Sequence, residues 1–226
     1  MSWKPTSSHT AIYRSGMFRP EPDGRMHFAM YERNAKPVID GLSPFLADIK
    51  GNALEIGSGT GQHVIAFAAT FPVLHWTPSD PDPVHRTSID AWRSFENAPT
   101  APALALDAAS DWAEMPEVRA ISPLSLIISM NVIHISPPSV MRGILNGAAK
   151  ALAAGGLLVF YGPFKENGKH TGEGNANFDA GLRVQDVDWG LRDTVDIQSI
   201  GESLGLVWRD MVVMPSNNRL LVLAKP

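Results

Sequence analysis

Leu54-Glu55-Ile56-Gly57-Ser58-Gly59-Thr60-Gly61-Gln62-His63 is the stretch that decides how this chain folds. A short apolar strand, Ala53 to Ile56, runs straight into three glycines, and a helix through His63 to Ala69 follows them. Glycine adopts backbone conformations closed to other residues and lets a ligand approach the main chain without a Cβ in the way. The helix start beyond it offers free N–H groups and a partial positive charge. Strand, glycine loop and helix in that order read as a ligand-binding unit of an α/β fold, the alternative being a glycine turn that holds no ligand.

Outward from this unit the same rhythm continues. Leu74 to Trp76 reads as a second strand that Pro78 should end. A helix from about Val84 to Phe95 leads to a third strand, Ala103 to Leu106, and Leu124 to Met130 is a fourth. Val140 to Leu152 reads as a helix closed by Gly155-Gly156, and Leu157 to Tyr161 as strand five. Alternating strands and helices with short connections imply a parallel sheet covered on both faces. After a helix near Ile197 to Leu204 the rhythm breaks: Leu206 to Met214 and Arg219 to Ala224 are joined by Pro215-Ser216-Asn217-Asn218, too short for a crossover. These two strands must pair antiparallel. The expectation is one α/β domain over residues 1–226, a Rossmann-like αβα sandwich with a seven-stranded, mostly parallel sheet ending in an antiparallel hairpin.

Upstream, Phe28 to Leu46 has helical spacing, with Pro37 expected to kink or divide it. Residues 1–27, with Pro5, Gly16, Pro20 and Pro22, read as an irregular arm. Residues 165–193, rich in glycine and asparagine around a short helix at Phe178 to Val184, read as an insertion after strand five, a lid or a packed surface excursion.

The chain has 226 residues, no cysteine and a formal net charge of -4. Disulfides and thiolate zinc sites are thereby excluded. The acidic balance disfavours a nucleic-acid surface, which needs a basic stripe. The early cluster Arg14, Arg19, Arg25, Arg33 and Lys36 reads as solvated charge. The N-terminus lacks the apolar stretch of a signal peptide and no run approaches the ~20 residues that span a bilayer, so the expected location is the cytoplasm, away from membranes. His9, His27, His63, His75, His85 and His170 show no metal-ligand spacing, and no metal is expected.

Dinucleotide enzymes use the strand–glycine–helix device with G-x-G-x-x-G spacing. Here the spacing is G-x-G-x-G, Gln62 stands where their third glycine would, and Glu55 precedes Gly57 by two residues. This E-x-G-x-G-x-G pattern resembles the first motif of class I S-adenosylmethionine (SAM)-dependent methyltransferases. The resemblance implies that Glu55 and the backbone of Gly57, Ser58, Gly59, Thr60 and Gly61 hold the methionine end of SAM. It also implies S-adenosylhomocysteine (SAH) as product, and a parallel sheet finished by an antiparallel hairpin is that class's arrangement. Asp80, at the end of strand two and 19 residues beyond Gly61, is placed to accept from both ribose hydroxyls. Asp82 is its neighbouring competitor. Asp107 closes strand three where the resemblance implies contact with the adenine amino group, with the N–H of Ala108 beside it. Helix capping is the alternative reading for either acid.

Strand four ends Ser129-Met130-Asn131-Val132-Ile133-His134-Ile135-Ser136-Pro137, and ligands of open α/β sheets bind beyond such carboxyl ends, so Met130 and Asn131 face the cofactor. The segment lacks the N/D-P-P-Y motif of methyltransferases acting on exocyclic amines of bases. Together with Glu32-Arg33-Asn34, Pro78-Ser79-Asp80, Tyr161-Gly162-Pro163-Phe164, Asn177-Phe178-Asp179, Trp189-Gly190-Leu191-Arg192-Asp193 and Met214-Pro215-Ser216-Asn217-Asn218, it is similar to an uncharacterised methyltransferase-like family known only as a domain of unknown function, spread from bacteria to animals. The resemblance runs from about Tyr31 to the last strand and supplies no substrate.

On the acceptor side, His134 can take a proton as the methyl arrives, or else bond to a neighbouring loop. Tyr161 can point into the same crevice or pack in the core. Arg33 can pair with a ligand carboxylate or stay solvated, and Asn34 shares its helix. Trp189 and Arg192 would line the substrate pocket if residues 165–193 form a lid. Trp76, Trp92 and Trp208 read as core. The expected activity is methyl transfer from SAM to a small-molecule acceptor by direct displacement, in a monomer or homodimer. The rivals are a protein or nucleic-acid methyltransferase working with a partner, and a non-catalytic SAM-binding module. A nicotinamide oxidoreductase is disfavoured by Gln62 and the antiparallel tail.

Overall fold

In the computed structural model, residues 18–226 are described. Arg14, His9 and the first turn formers of the expected arm therefore lie outside the described residues. The chain folds as a three-layer α/β sandwich around a mixed six-stranded sheet of order β4-β3-β5-β6-β10-β9. In chain order these strands are β3 (Gly51–Ile56), β4 (Leu74–Ser79), β5 (Leu124–Met130), β6 (Leu152–Pro163), β9 (Val207–Val213) and β10 (Asn218–Ala224). The first four pair parallel, and β10 pairs antiparallel with both β6 and β9. The tail hairpin thus inserts its last strand between β6 and β9, a placement that neighbouring-strand reasoning alone does not give.

Two apolar clusters cover the two faces of the sheet. On one, Leu54, Ile127, Leu158 and Leu221 pack with Trp112 and with α5 (Pro138–Ala151) and α7 (Thr194–Ser203). On the other, Ala53, Leu126, Val159 and Val222 pack with α1 (Tyr31–Leu46), α2 (Gln62–Thr70) and α3 (Pro83–Phe95). Successive strand residues go to opposite faces, which is why these strands read as continuous apolar runs.

The expected seventh strand is not formed. Residues 100–104 run beside β4 with only two parallel bridges, Trp76 to Thr100 and Ser79 to Leu104, three residues on one side against four on the other. Pro102 brings no N–H, and the N–H of Ala103 turns away to Asp90 Oδ1 at 3.1 Å, so no ladder propagates. Pro78 does not end the second strand either. The carbonyls of Trp76 and Pro78 accept from Ala101 and Leu104 on the outer side, so the N–H that Pro78 lacks would have faced that irregular segment rather than β3.

Helix α1 passes through Pro37 undivided, because Asn34, Val38, Leu42 and Leu46 form a buried stripe at four-residue spacing that packs it on the sheet. The end of the expected arm is ordered as a hairpin, β1 (Phe18–Pro20) with β2 (Met26–Phe28). The excursion after β6 holds a second hairpin, β7 (Lys165–Glu166) with β8 (Lys169–His170), and a helix α6 (Glu173–Gln185) longer than its periodicity suggested. Among the described residues no helix is long and apolar enough to cross a membrane.

Candidate functional site

At the carboxyl ends of β3, β4 and β5 lies a cleft of about 1250 Å³. That exceeds the ~300–1,000 Å³ usual for one small ligand, leaving room for two molecules side by side.

Its floor is the glycine loop. Gly57, Gly59 and Gly61 all have positive φ, and two of them are also dictated by packing. A Cβ on Gly57 would stand 2.4 Å from Val132 Cγ2, and one on Gly61 would stand 2.7 Å from the backbone of Ile89. Gly59 differs: its missing Cβ has no atom within 4 Å, and it borders the open cleft. The loop is pinned from β4. The N–H groups of Gly57 and Ser58 donate to the carbonyl of Ser79, and that of Gly59 donates to Asp80 Oδ2 at 2.9 Å. Asp80 Oδ1 accepts from the N–H of Asp82 at 3.0 Å and lies 3.2 Å from His85 Nδ1. Burial disfavours charge on His85, but the hydrogen bond and the charge of Asp80 outweigh it and raise its pKa. Asp82 caps α3, accepting from the N–H of Val84 at 2.8 Å.

Glu55 sits on the floor of the cleft, 2% exposed, and its Oε2 has no hydrogen-bond partner among the described residues. Burial, opposed by a hydrogen bond from Ser58 and reinforced by the charge of Asp80, pushes its carboxyl up to about 7. An orphaned buried carboxylate oxygen carries a desolvation penalty that a cationic or N–H-bearing ligand would relieve. Of the residues expected to contact a cofactor, Arg33, Glu55, Asp80, Asp107, Ala108, Met130 and Asn131 all border this one cleft, as do Gly57, Ser58, Gly59 and Thr60; Gly61 lies just behind it. Asp107 Oδ1 accepts from the N–H of Ala109, a turn that leaves both Asp107 and Ala108 bordering the cleft.

On the other side Asn131 ends β5 with φ +57, an uncommon conformation for a residue with a side chain. Gly162 makes room for it: a Cβ there would meet His134 Cε1 at 2.9 Å and Asn131 Oδ1 at 3.1 Å. His134 borders the cleft, is 2% exposed, and stands edge-on to Phe178 at 5.7 Å between ring centroids. Its Nδ1 has no hydrogen-bond partner among the described residues. Burial, with the nearby Arg192 charge, pulls its pKa down to about 3, so the imidazole is neutral throughout the physiological range.

Three expected acceptor-side residues do not line the cleft. Tyr161 packs in the core, its hydroxyl accepting from Asn218 Nδ2 at 2.9 Å, and it is Asn218 that borders the space. Trp189 is buried with Leu182 and Leu191. Arg192 donates to the carbonyls of Ile133, Ser136 and Asp188, a clamp on the loop that carries His134. Asn34 does border the cleft, and its Oδ1 is 3.3 Å from Arg33 Nε.

The sequence reading missed the hairpin wall. Phe18 and Phe28 stack at 5.3 Å and both border the cleft. Gln62 Oε1 accepts from the N–H of Phe28 at 2.6 Å, and Ser88 Oγ accepts from the N–H of Met26 at 2.8 Å. The available signal was Gln62 itself, a polar residue at the start of an otherwise apolar helix. Among the described residues no three His, Asp or Glu side chains gather as a metal site.

Residues 25–225 match the family described as "Protein of unknown function (DUF938)". The chain belongs to the DUF938 family. Solved structures share its fold at low identity. An O-methyltransferase family protein from Burkholderia thailandensis is similar over 86% of this chain and 57% of its own, with TM-score 0.72 and 15% identity. The mitomycin 7-O-methyltransferase MmcR gives 88% and 55%, TM-score 0.71 and 16% identity. PigF, solved with SAH, gives 84% and 56%, TM-score 0.68 and 19% identity. This DUF938 chain thus spans a little over half the length of those proteins, and the likeness establishes a methyltransferase-type Rossmann-like fold.

Proposed function

We propose that this DUF938 chain is a SAM-dependent methyltransferase acting on a small-molecule acceptor. The observation that carries the reading is Glu55, a buried carboxylate whose Oε2 finds no partner among the described residues, on the floor of a cleft that leaves open space beside Gly59. An α-ammonium group satisfies that oxygen, and the guanidinium of Arg33, which borders the same cleft, suits the accompanying carboxylate. Asp80 suits the ribose hydroxyls, and Asp107 with the Ala108 N–H suits the adenine edge. These groups fit the two ends of SAM in one continuous space. PigF, of the same fold, is solved with SAH.

SAM supplies an already activated sulfonium methyl, so the chain's own work is alignment, exclusion of water and management of one proton. Alignment alone is worth ~7–11 kcal/mol in favourable cases. His134, neutral and beside the cleft, can hydrogen-bond the acceptor, and Arg192 and Gly162 hold its loop and its ring in place. Its weak basicity suits an acceptor that parts with its proton readily.

Calorimetric titration with SAM and SAH, beside an Asp80→Ala variant, tests the reading. Micromolar binding by the native protein and loss of at least tenfold affinity in the variant are expected. No binding by the native protein would overturn it.

A further inference from the structure

The charges bordering the cleft are divided along its length. Among the described residues, every Asp, Glu and Arg that lines it comes from residues 18–108, and from Met130 onward the lining carries no Asp, Glu, Lys or Arg. In that second half the polar side chains are amides (Asn131, Asn175, Asn177, Gln185 and Asn218), the hydroxyls of Ser136 and Ser216, and the neutral imidazole of His134. Helix α6 carries Glu173, Asp179 and Arg183, none of which lines the cleft, and Asp179 and Arg183 pair within the excursion. Lys165, His170 and Arg183 converge on Asp179, at 3.1, 2.9 and 3.4 Å. Arg219 is paired with Glu166 at 2.6 Å, and Arg192 with backbone carbonyls. The cleft side of α6 instead shows Phe178, 42% exposed and edge-on to His134, with Leu182 one turn further. A partly bare aromatic ring bordered by amides suits a flat apolar body with hydrogen-bonding edges.

We propose that the acceptor is an uncharged molecule with a ring-sized apolar body edged by hydroxyl or carbonyl groups, seated against Phe178 and Leu182; the inference rests on the methyltransferase reading above. A carboxylate or ammonium placed there would lose its hydration without meeting a counter-charge, and discrimination against such compounds follows from that unpaired burial. Arg33, which borders the same cleft, is matched by the ligand carboxylate in that reading, and Arg192, whose charge is felt at His134, is held by backbone carbonyls.

Gly181 gives a clean handle on the space. It lies inside α6, borders the cleft, and a Cβ there would meet nothing within 4 Å. Leucine at this position therefore intrudes on the acceptor half while favouring the helix. The experiment titrates the SAH-saturated protein with three matched probes at pH 7: 2-naphthol, 2-naphthoate and 2-naphthylmethylammonium. Naphthol is expected to bind at least tenfold more tightly than either charged probe. Gly181→Leu should weaken naphthol at least tenfold with SAH affinity unchanged, and Gln185→Lys should make naphthoate the preferred probe. Equal or tighter binding of a charged probe, no naphthol binding, or a Gly181→Leu protein that binds naphthol as before would each overturn the proposal. SAH is titrated first: failure at that step removes the methyltransferase reading and this inference with it, whereas SAH binding without the naphthol preference removes this inference alone.

Discussion

Replacing Glu55 by glutamine removes a carboxyl whose ionisation the fold resists. Burial is the main cause, and it raises the group from its ordinary 4.5 to about 7. At ~1.36 kcal/mol per pKa unit, ionising Glu55 in the folded protein costs about 3 kcal/mol more than in the unfolded chain. The sign is fixed by which state loses its proton first. Below pH 4.5 both states are protonated and stability is unaffected by this group. Between 4.5 and 7 the unfolded chain releases its proton while the folded protein retains it, so stability falls as pH rises; above 7 the whole loss persists. The native protein should therefore lose about 3 kcal/mol between pH 4.5 and 8 that Glu55→Gln keeps. Any fixed cost of burying the amide is the same at every pH and drops out of the comparison. Urea unfolding of both proteins at half-unit pH steps measures the difference. A stability gap between the two that is flat from pH 4.5 to 8 would refute the reasoning, because it would mean that Glu55 is solvated or already paired.

Two further substitutions probe the walls of the cleft. Gly162→Ala puts a Cβ 2.9 Å from His134 Cε1 at a φ of +153°, so it should cost ~1–3 kcal/mol and move the His134 imidazole resonance while SAH affinity stays within a factor of two; an unmoved resonance would mean that Gly162 does not position the ring. Gln62→Ala leaves the N–H of Phe28 without its 2.6 Å partner, with an expected loss of ~1–3 kcal/mol in thermal unfolding and weaker SAM binding in calorimetry, though Gln62 does not itself border the cleft. Unchanged SAM affinity would show that the hairpin wall is dispensable.

Much of the fold was legible because periodicity and turn chemistry are local. The glycine loop, the alternation of strands and helices, and the antiparallel tail all follow from residues close in sequence. Two kinds of feature were not. Proline rules gave Pro78 as a strand end and Pro37 as a helix break, yet β4 continues through the first because its missing N–H faces an irregular segment, and α1 continues through the second because Val38, Leu42 and Leu46 hold it on the sheet. The strand expected at Ala103 to Leu106 failed for the converse reason: its apolar residues suit a strand, but Pro102 and the Asp90 contact of Ala103 deny it a ladder.

At the site, the sequence alone determined which strand-end residues border the cleft, Glu55, Asp80, Asp107, Asn131 and His134, because a strand's carboxyl end and its loop share one edge of the sheet. Only the tertiary structure decided which side chains reach the cleft and which stand behind it. Tyr161 and Trp189 are turned into apolar packing and Arg192 onto backbone carbonyls, while Phe18, Phe28 and Phe178 come to the cleft from segments far away in the chain. The direction of a side chain beyond a strand end is set by what packs around it, and that information is spread over the whole fold.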